Sequence, residues 1–198
     1  MIKSKDDLEY YLKCDKVALK IPSNRFFPRP FFDLIWKYEI ILRNTEYHKN
    51  NSGLFHKLLY YYNRIRLERM SAKLSISIKP NVFGPGLSIA HYGGIVVNPN
   101  AHIGSNCRIH EGVTIGATNG SNRAALIGDN CFIGSGAKVI GEVELGNNVT
   151  IGAGAVVIKS VADNNVTLVG NPAHPVNYNG SAKNVICATE IVDGYYRK

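Results

Sequence analysis

From Val97 onward, aliphatic residues recur every six positions: Val97, Ile103, Ile109 and Ile115, then Ile127, Ile133, Val139, Leu145, Ile151 and Val157. Glycine often follows at once, as at Gly104, Gly116, Gly128, Gly134, Gly146 and Gly152. Four residues after most of the aliphatics stands a small or β-branched residue: Ala101, Cys107, Val113, Cys131, Ala137, Val143, Val149, Ala155 and Val161. A helix repeats its apolar face every 3.6 residues and a strand every two, so a period of six suits neither. It suits a parallel β-helix of hexapeptides, each giving one short strand and a turn, three making a triangular coil. The aliphatic and the small residue both point inward. One coil cannot bury its own inner face, so stacking of coils must supply the stability.

The rhythm breaks twice. Between Ile115 and Ile127 lies GATNGSNRAAL, polar and glycine-containing, which reads as a loop protruding after one hexapeptide. The second break lies upstream. Counting back six from Val97 lands on His91, where an aliphatic is expected, and the register is lost around Gly84–Gly86. An ionisable ring inside the apolar, glycine-rich stretch GPGLSIAHYGGIVVNPNAHIG is a candidate functional group, because local rules tend to fail at functional sites. On the residues alone, a packed histidine at an irregular coil is the competing reading.

Residues 1–75 follow a different grammar and read as helical. Ser4 and Asp7 give a start signal for a first helix. Pro22, Pro28 and Pro30 mark a connector. Leu34, Tyr38, Ile41, Leu42 and Thr45 share one face of a second helix, and Phe55, Leu58, Leu59, Tyr62 and Ile65 share one face of a third, with Asn50–Gly53 between them. The expected organisation is a helical region at 1–75, a β-helix at 76–178 and a tail at 179–198. Charge follows the same division: 15 Lys and Arg against 8 Asp and Glu in residues 1–75, and 8 against 7 in the remainder. Such a basic segment suits a solvated surface, phosphates or an anionic membrane. No nucleic-acid-binding motif accompanies it, so no nucleic-acid partner is expected. The first residues are charged with no apolar run behind them, and no stretch approaches the about 20 apolar residues that span a bilayer, so a cytoplasmic location is expected. The four cysteines (Cys14, Cys107, Cys131, Cys187) lack metal-ligand spacing and read as buried reduced thiols; no metal site is expected.

The segments GLSIAHYGGIVV, VTIGATNG, IGAGAVVIKSV and LVGNPAHPV resemble the hexapeptide-repeat acyltransferases of left-handed parallel β-helix fold. The likeness is closest to the serine acetyltransferase branch, including its shorter members associated with exopolysaccharide and capsule synthesis. It covers residues 74–178 well and the helices loosely. It implies a mainly β protein, a homotrimer, acetyl-CoA as donor and active sites between neighbouring subunits. His91, followed by Gly94, Ile95, Val96 and Val97, matches the family's general base. Imidazole suits that role because its ordinary pKa of about 6.5 lets it take a proton from an attacking alcohol and pass it to the departing thiolate. The positions matching the donor site are Gly116, Gly136, Ala137, Ala153, Gly154, Lys159, Asn171 and Pro172. Near the base, His110 is a second catalytic candidate, and Tyr92, Glu111 and Arg123 are candidates for holding the acceptor.

The chain also departs from the resemblance. Ala90 stands where serine acetyltransferases place an aspartate before the histidine. Arg123 is followed by Ala124 where they carry Arg-His, and His174 stands where Lys or Arg is common. These departures fall mainly on the acceptor side. The expectation is therefore O-acetylation of a sugar hydroxyl in a surface polysaccharide or its precursor, with serine O-acetylation as the alternative. A non-catalytic scaffold, and peripheral membrane proximity through the basic helices, are further readings.

Overall fold

The structure is a computed structural model and describes residues 1–118 and 120–196. Three helices come first: α1 (Lys5–Ala18), α2 (Leu34–Asn50) and α3 (Leu54–Leu74). Ser4 and Asp7 close a capping box on α1, the Ser4 hydroxyl accepting from the Asp7 amide and the Asp7 carboxylate accepting from the Ser4 amide. Short strands then wind into three parallel faces. The first face stacks Ile76–Ser77, Ile95–Val97, Thr114–Gly116, Lys138–Ile140 and Val156–Val157. The second stacks His102–Ile103, Leu126–Ile127 and Glu144–Leu145. The third stacks Ser88–Ile89, Arg108–Ile109, Phe132–Ile133, Thr150–Ile151 and Thr167–Gly170, and ends in an antiparallel strand, Ala173–Asn177.

Register follows the six-residue pattern. Val97, Ile115, Val139 and Val157 lie one above another on the first face. Ile103, Ile127 and Leu145 do so on the second, and Ile89, Ile109, Ile133, Ile151 and Leu168 on the third. All are buried, and each such side chain contributes about 1.5–3 kcal/mol of transfer free energy. Cys107 and Cys131 occupy the small inward slot as free thiols, and burial pushes both thiols up, Cys131 to about 12. The segment between Gly116 and Leu126 leaves the prism as a single excursion between the first and second faces; Asn119 within it lies outside the described residues.

The first coil has no coil beneath it, and the helices take that place through a buried ionic cluster. The Arg43 guanidinium on α2 donates to both Asp15 carboxylate oxygens (2.7 and 3.2 Å), to Glu46 (3.0 Å) and to the carbonyls of Phe83 (2.9 Å) and Gly84 (2.7 Å). Asp15 Oδ1 in turn accepts from the amides of Gly86 and Leu87, both at 2.9 Å. Glu46 accepts from the Asn81 amide at 2.9 Å, and Glu39 from the Ile89 amide at 3.2 Å. The stretch whose register is illegible in the sequence is thus tied on one side by α1 and α2, while its other side pairs with the next coil, where Gly84 donates to the Ile103 carbonyl and Asn106 to the Pro85 carbonyl. At the other end the chain turns back. The Ser181 hydroxyl donates to the Asn130 carbonyl, Asn106 donates to Thr189 at 2.8 Å, and α4 (Ala188–Tyr196) packs Ala188 and Val192 against Cys14 and Ala18 of α1. The expected tail is therefore a strap along the prism; its last residues, 197–198, lie outside the described residues.

Two features go beyond what the sequence pattern states. The apolar face shared along α3 is exposed: Phe55 at 68%, Leu58 at 63%, Tyr62 at 57% and Ile65 at 55%. What α3 buries is Asn63, Leu67 and Leu74, because the helix meets α2 and the first strand on its other side. His91, in turn, does not fill an aliphatic slot. The inward aliphatic of the preceding strand that corresponds to Val97 is Ile89, eight positions back where six separate Ile109 from Ile115, so the turn holds two extra residues and His91 stands outside the prism.

Replacing Arg43 by Met leaves Asp15 and Glu46 buried without their cation. Removing one partner of such a cluster costs about 3–5 kcal/mol. Denaturant unfolding of Arg43→Met is expected to show a loss of that size, whereas Lys79→Met, which breaks an exposed pair with Glu68, changes stability by less than about 1 kcal/mol.

Candidate active site

The edge between the third and first faces carries the candidate residues. Each coil turns here through a glycine with left-handed backbone angles: Gly94, Gly112, Gly136 and Gly154, with φ of 64°, 73°, 71° and 68°. They stack directly. A Cβ on Gly112 would stand 3.3 Å from the Gly136 backbone, tighter than ordinary contact. Amides continue the column: Gly112 N–H donates to the Gly93 carbonyl, Gly136 to Glu111 and Gly154 to Ser135, each at 2.8 Å. The edge between the second and third faces solves the same backbone problem with side chains. Asn106, Asn130, Asn148 and Asn165 take φ of 56–61° there and form an amide ladder at 2.8–3.1 Å. One edge is filled by its own ladder and covered by the C-terminal strap; among the described residues the glycine edge has no such ladder, and above Gly112, where the Lys138 ammonium donates to the carbonyl at 2.6 Å, it is bare.

The two-residue insertion in the first turn pushes His91 and Tyr92 out at the foot of this bare edge, both exposed. One coil above, His110 faces the His91 ring edge-on, with centroids 5.7 Å apart, and rests against Phe132 at 5.1 Å. Glu111 Oε2 lies 3.8 Å from His110 Nδ1, and the Ser135 hydroxyl, one coil higher again, lies 3.4 Å from the same nitrogen. One ring nitrogen from each histidine and a Glu111 oxygen lie within 4.8 Å of one another. That set can relay a proton, and it can also ligate a divalent cation. Burial, and then the charge of Arg108, hold His110 below its ordinary value, so it is neutral at pH 7. Hydrogen bonding from the Ser135 hydroxyl, chiefly, holds Glu111 below the usual carboxylate range, so it is anionic. A neutral imidazole and a carboxylate therefore flank the exposed His91.

The other candidates divide between two places. Gly136, Ala137, Ala153 and Gly154 lie on the same edge above His110; Ala137 turns its methyl into the core, so only its backbone is presented. Asn171 and Pro172 form the turn of the terminal hairpin, where Val169 closes over Gly152. Gly116 and the exposed Lys159 stand across the first face, at its other edge. Arg123 is on that far side too, paired with Glu142 at 3.2 Å, and lies in a hollow with His102 and Glu144, away from His91 of its own chain. Tyr92 opens on a hollow of about 200 Å³ shared with Phe32, Asp33 and Trp36. Ser135 and this hollow are not evident from motif matching. Ser135 is reachable from the repeat, since the edge glycines are spaced by 18, then 24 across the loop insertion, then 18 residues.

Because His110 is held below 6.5, the unfolded state binds more protons than the native state in the window just below that value. Stability contributed by this position is therefore lost as pH falls through the window and is unaffected above it. NMR titration is expected to place His110 below 6.5, and Glu111→Gln to move it lower still, since that carboxylate is the neighbour that raises it.

Residues 124–159 match the family model described as bacterial transferase hexapeptide (six repeats). A probable serine acetyltransferase 4 from Oryza sativa subsp. japonica is 45% identical over 111 residues, which are 54% of this chain and 35% of that protein. A serine acetyltransferase from Staphylococcus epidermidis is 37% identical over 115 residues, 54% of each chain. This chain thus spans between about a third and a half of the curated relatives it matches. Among solved structures, a serine acetyltransferase from Brucella abortus strain S19 in complex with coenzyme A superposes with a TM-score of 0.63 at 28% identity, over 88% of this chain and 68% of that one. Helices followed by a prism of parallel hexapeptide strands are common to both, and the chain carries the hexapeptide-repeat fold of the serine acetyltransferases.

Proposed function

We propose that the glycine edge transfers an acetyl group from acetyl-CoA to an alcohol, with His91 as general base. The observation that carries this reading is the arrangement along one edge: an exposed imidazole flanked by His110 and Glu111, directly below a bare column of Gly136, Ala153 and Gly154. His91 takes the proton as the hydroxyl oxygen attacks the thioester carbonyl. The tetrahedral adduct collapses, and the departing thiolate takes that proton from the imidazolium. Glu111 stabilises the imidazolium by charge. Neutral His110 holds the acceptor hydroxyl by a hydrogen bond. The glycine column lets an extended pantetheine arm approach the backbone without meeting a Cβ. Binding of coenzyme A by the Brucella protein of the same fold supports acetyl-CoA as the donor.

The donor residues stand on two opposite edges of the first face, and a single chain does not join them. Packing of neighbouring copies in a homotrimer would bring the Lys159–Gly116 edge of one copy against the glycine edge of the next. Lys159 would then meet the phosphates of the donor.

The relatives favour L-serine as acceptor. A sugar hydroxyl is the second reading, favoured by three observations. Ala90 offers no carboxylate to hold an amino group, and Arg123 is engaged with Glu142. In addition, the aromatic hollow of Phe32, Trp36 and Tyr92 beside His91 suits the face of a sugar ring.

His91→Ala is expected to lower kcat/KM by about 10²- to 10⁴-fold while acetyl-CoA binding persists. Undiminished turnover would remove His91 as the base. Activity abolished by a chelator and restored by zinc would reassign His91, His110 and Glu111 to a metal. Steady turnover of L-serine to O-acetylserine would identify the first acceptor, and turnover of sugars or oligosaccharides with serine inert would identify the second.

A further inference from the structure

We infer that the helical end of the molecule docks on an anionic phospholipid bilayer. The connector between α1 and α2 presents four phenylalanines to solvent: Phe26 at 79%, Phe27 at 82%, Phe31 at 81% and Phe32 at 77% exposed. They stand on a segment stiffened by Pro22, Pro28 and Pro30. Beside them runs a groove of about 560 Å³ with an aromatic and aliphatic floor and a rim of Lys16, Lys37 and Arg66. Among the described residues lining it the one carboxylate is Glu9, which is paired with Lys13 at 2.8 Å. The Lys16 ammonium sits between the rings of Phe26 and Trp36, at 5.8 and 5.9 Å from their centroids. Arg66 extends the surface, its guanidinium lying 5.2 Å over the Tyr62 ring, so the groove runs into the exposed stripe Phe55–Leu58–Tyr62–Ile65 of α3.

Apolar rings set among unopposed cations match the chemistry of a leaflet. Phenyl groups enter the acyl boundary while ammonium and guanidinium groups meet lipid phosphates. Charge complementarity selects this occupant. The cation surplus is confined to residues 1–75 and the prism is nearly neutral, so an anionic partner is favoured at this end alone. Among the described residues no helix is long and apolar enough to cross a membrane. The chain would therefore lie on the surface.

The full chain is floated with vesicles of phosphatidylcholine alone or mixed with phosphatidylglycerol. Binding is expected with the anionic vesicles only, and is expected to fall when added salt shortens the screening length from about 10 Å to about 3 Å. Lys16→Glu/Lys37→Glu is expected to bind at least about tenfold more weakly. Phe26→Ser/Phe27→Ser is expected to lose binding while its circular dichroism and its acetyl transfer to a soluble acceptor stay unchanged. Trp36 is the only tryptophan and lines the groove, so brominated phosphatidylglycerol is expected to quench its fluorescence. Absence of binding, binding that survives Phe26→Ser/Phe27→Ser, or a lipid-free oligomer that dissociates in that variant would each overturn the inference. The last outcome would mean that a second copy covers the groove.

Discussion

The molecule depends on a guanidinium where a coil should be. A stacked prism is stable in its middle, because every strand has a neighbour above and below. Its first coil has none below. Arg43 holds the carbonyls of Phe83 and Gly84, while Asp15, bound to the same guanidinium, holds the amides of Gly86 and Leu87. The cluster is buried. Desolvation of its charges is offset only because nearly every lone pair and proton finds a partner. Glu39, the neighbouring carboxyl, has no cation of its own within hydrogen-bond reach among the described residues, and burial drives its pKa well above the ordinary value. It caps the Ile89 amide, two residues before His91. The helices therefore do more than shield the end of the prism. They set the position from which the candidate base projects.

From that starting point the difference between the edges follows. A tight turn in each hexapeptide coil requires left-handed backbone angles, and glycine or asparagine can supply them. Asparagine fills its edge with an amide ladder and offers partners to the C-terminal strap. Glycine contributes no side chain to its edge, and among the described residues the Lys138 ammonium reaches it at the Gly112 carbonyl. Along the glycine edge the turn is lengthened at its foot, and the insertion is what carries His91 out of the core and into reach of His110 and Glu111.

The middle coils are legible because their register depends on local spacing. Ile109, Ile133 and Val139 point inward in the structure as their period requires. The first coil is illegible for the opposite reason, since its partners Asp15, Glu39, Arg43 and Glu46 lie 35–72 residues away in sequence. The α3 stripe misleads because periodicity reports that a face is apolar but not what covers it. Phe55 and Leu58 are as regular as any core positions, yet they meet solvent. His91 is legible as an anomaly, and its neighbours only in part. The glycine column is spaced by 18 residues except across the loop, where 24 separate Gly112 from Gly136. Once that count is known, Ser135 falls above Glu111.

The charges around the base bear on the acceptor. With Ala90 in place of a carboxylate, the negative group nearest His91 comes from the coil above, as Glu111. Its position differs from that of a carboxylate on residue 90, being beside His110 and facing along the edge. A zwitterionic amino acid would have to set its own carboxylate away from Glu111, and the arginine that could receive it, Arg123, is across the first face and already paired. A neutral polyol meets no such conflict, and two imidazoles, a serine hydroxyl and a carboxylate give it both donors and acceptors. Glu111 is thus the charge against which either proposed acceptor has to be placed. The cations that the chain itself brings near the edge are Arg108, whose charge acts on His110, and Lys138, whose ammonium donates to the Gly112 carbonyl at 2.6 Å, so the acceptor question turns on whether these or a cation of a neighbouring copy can receive a carboxylate.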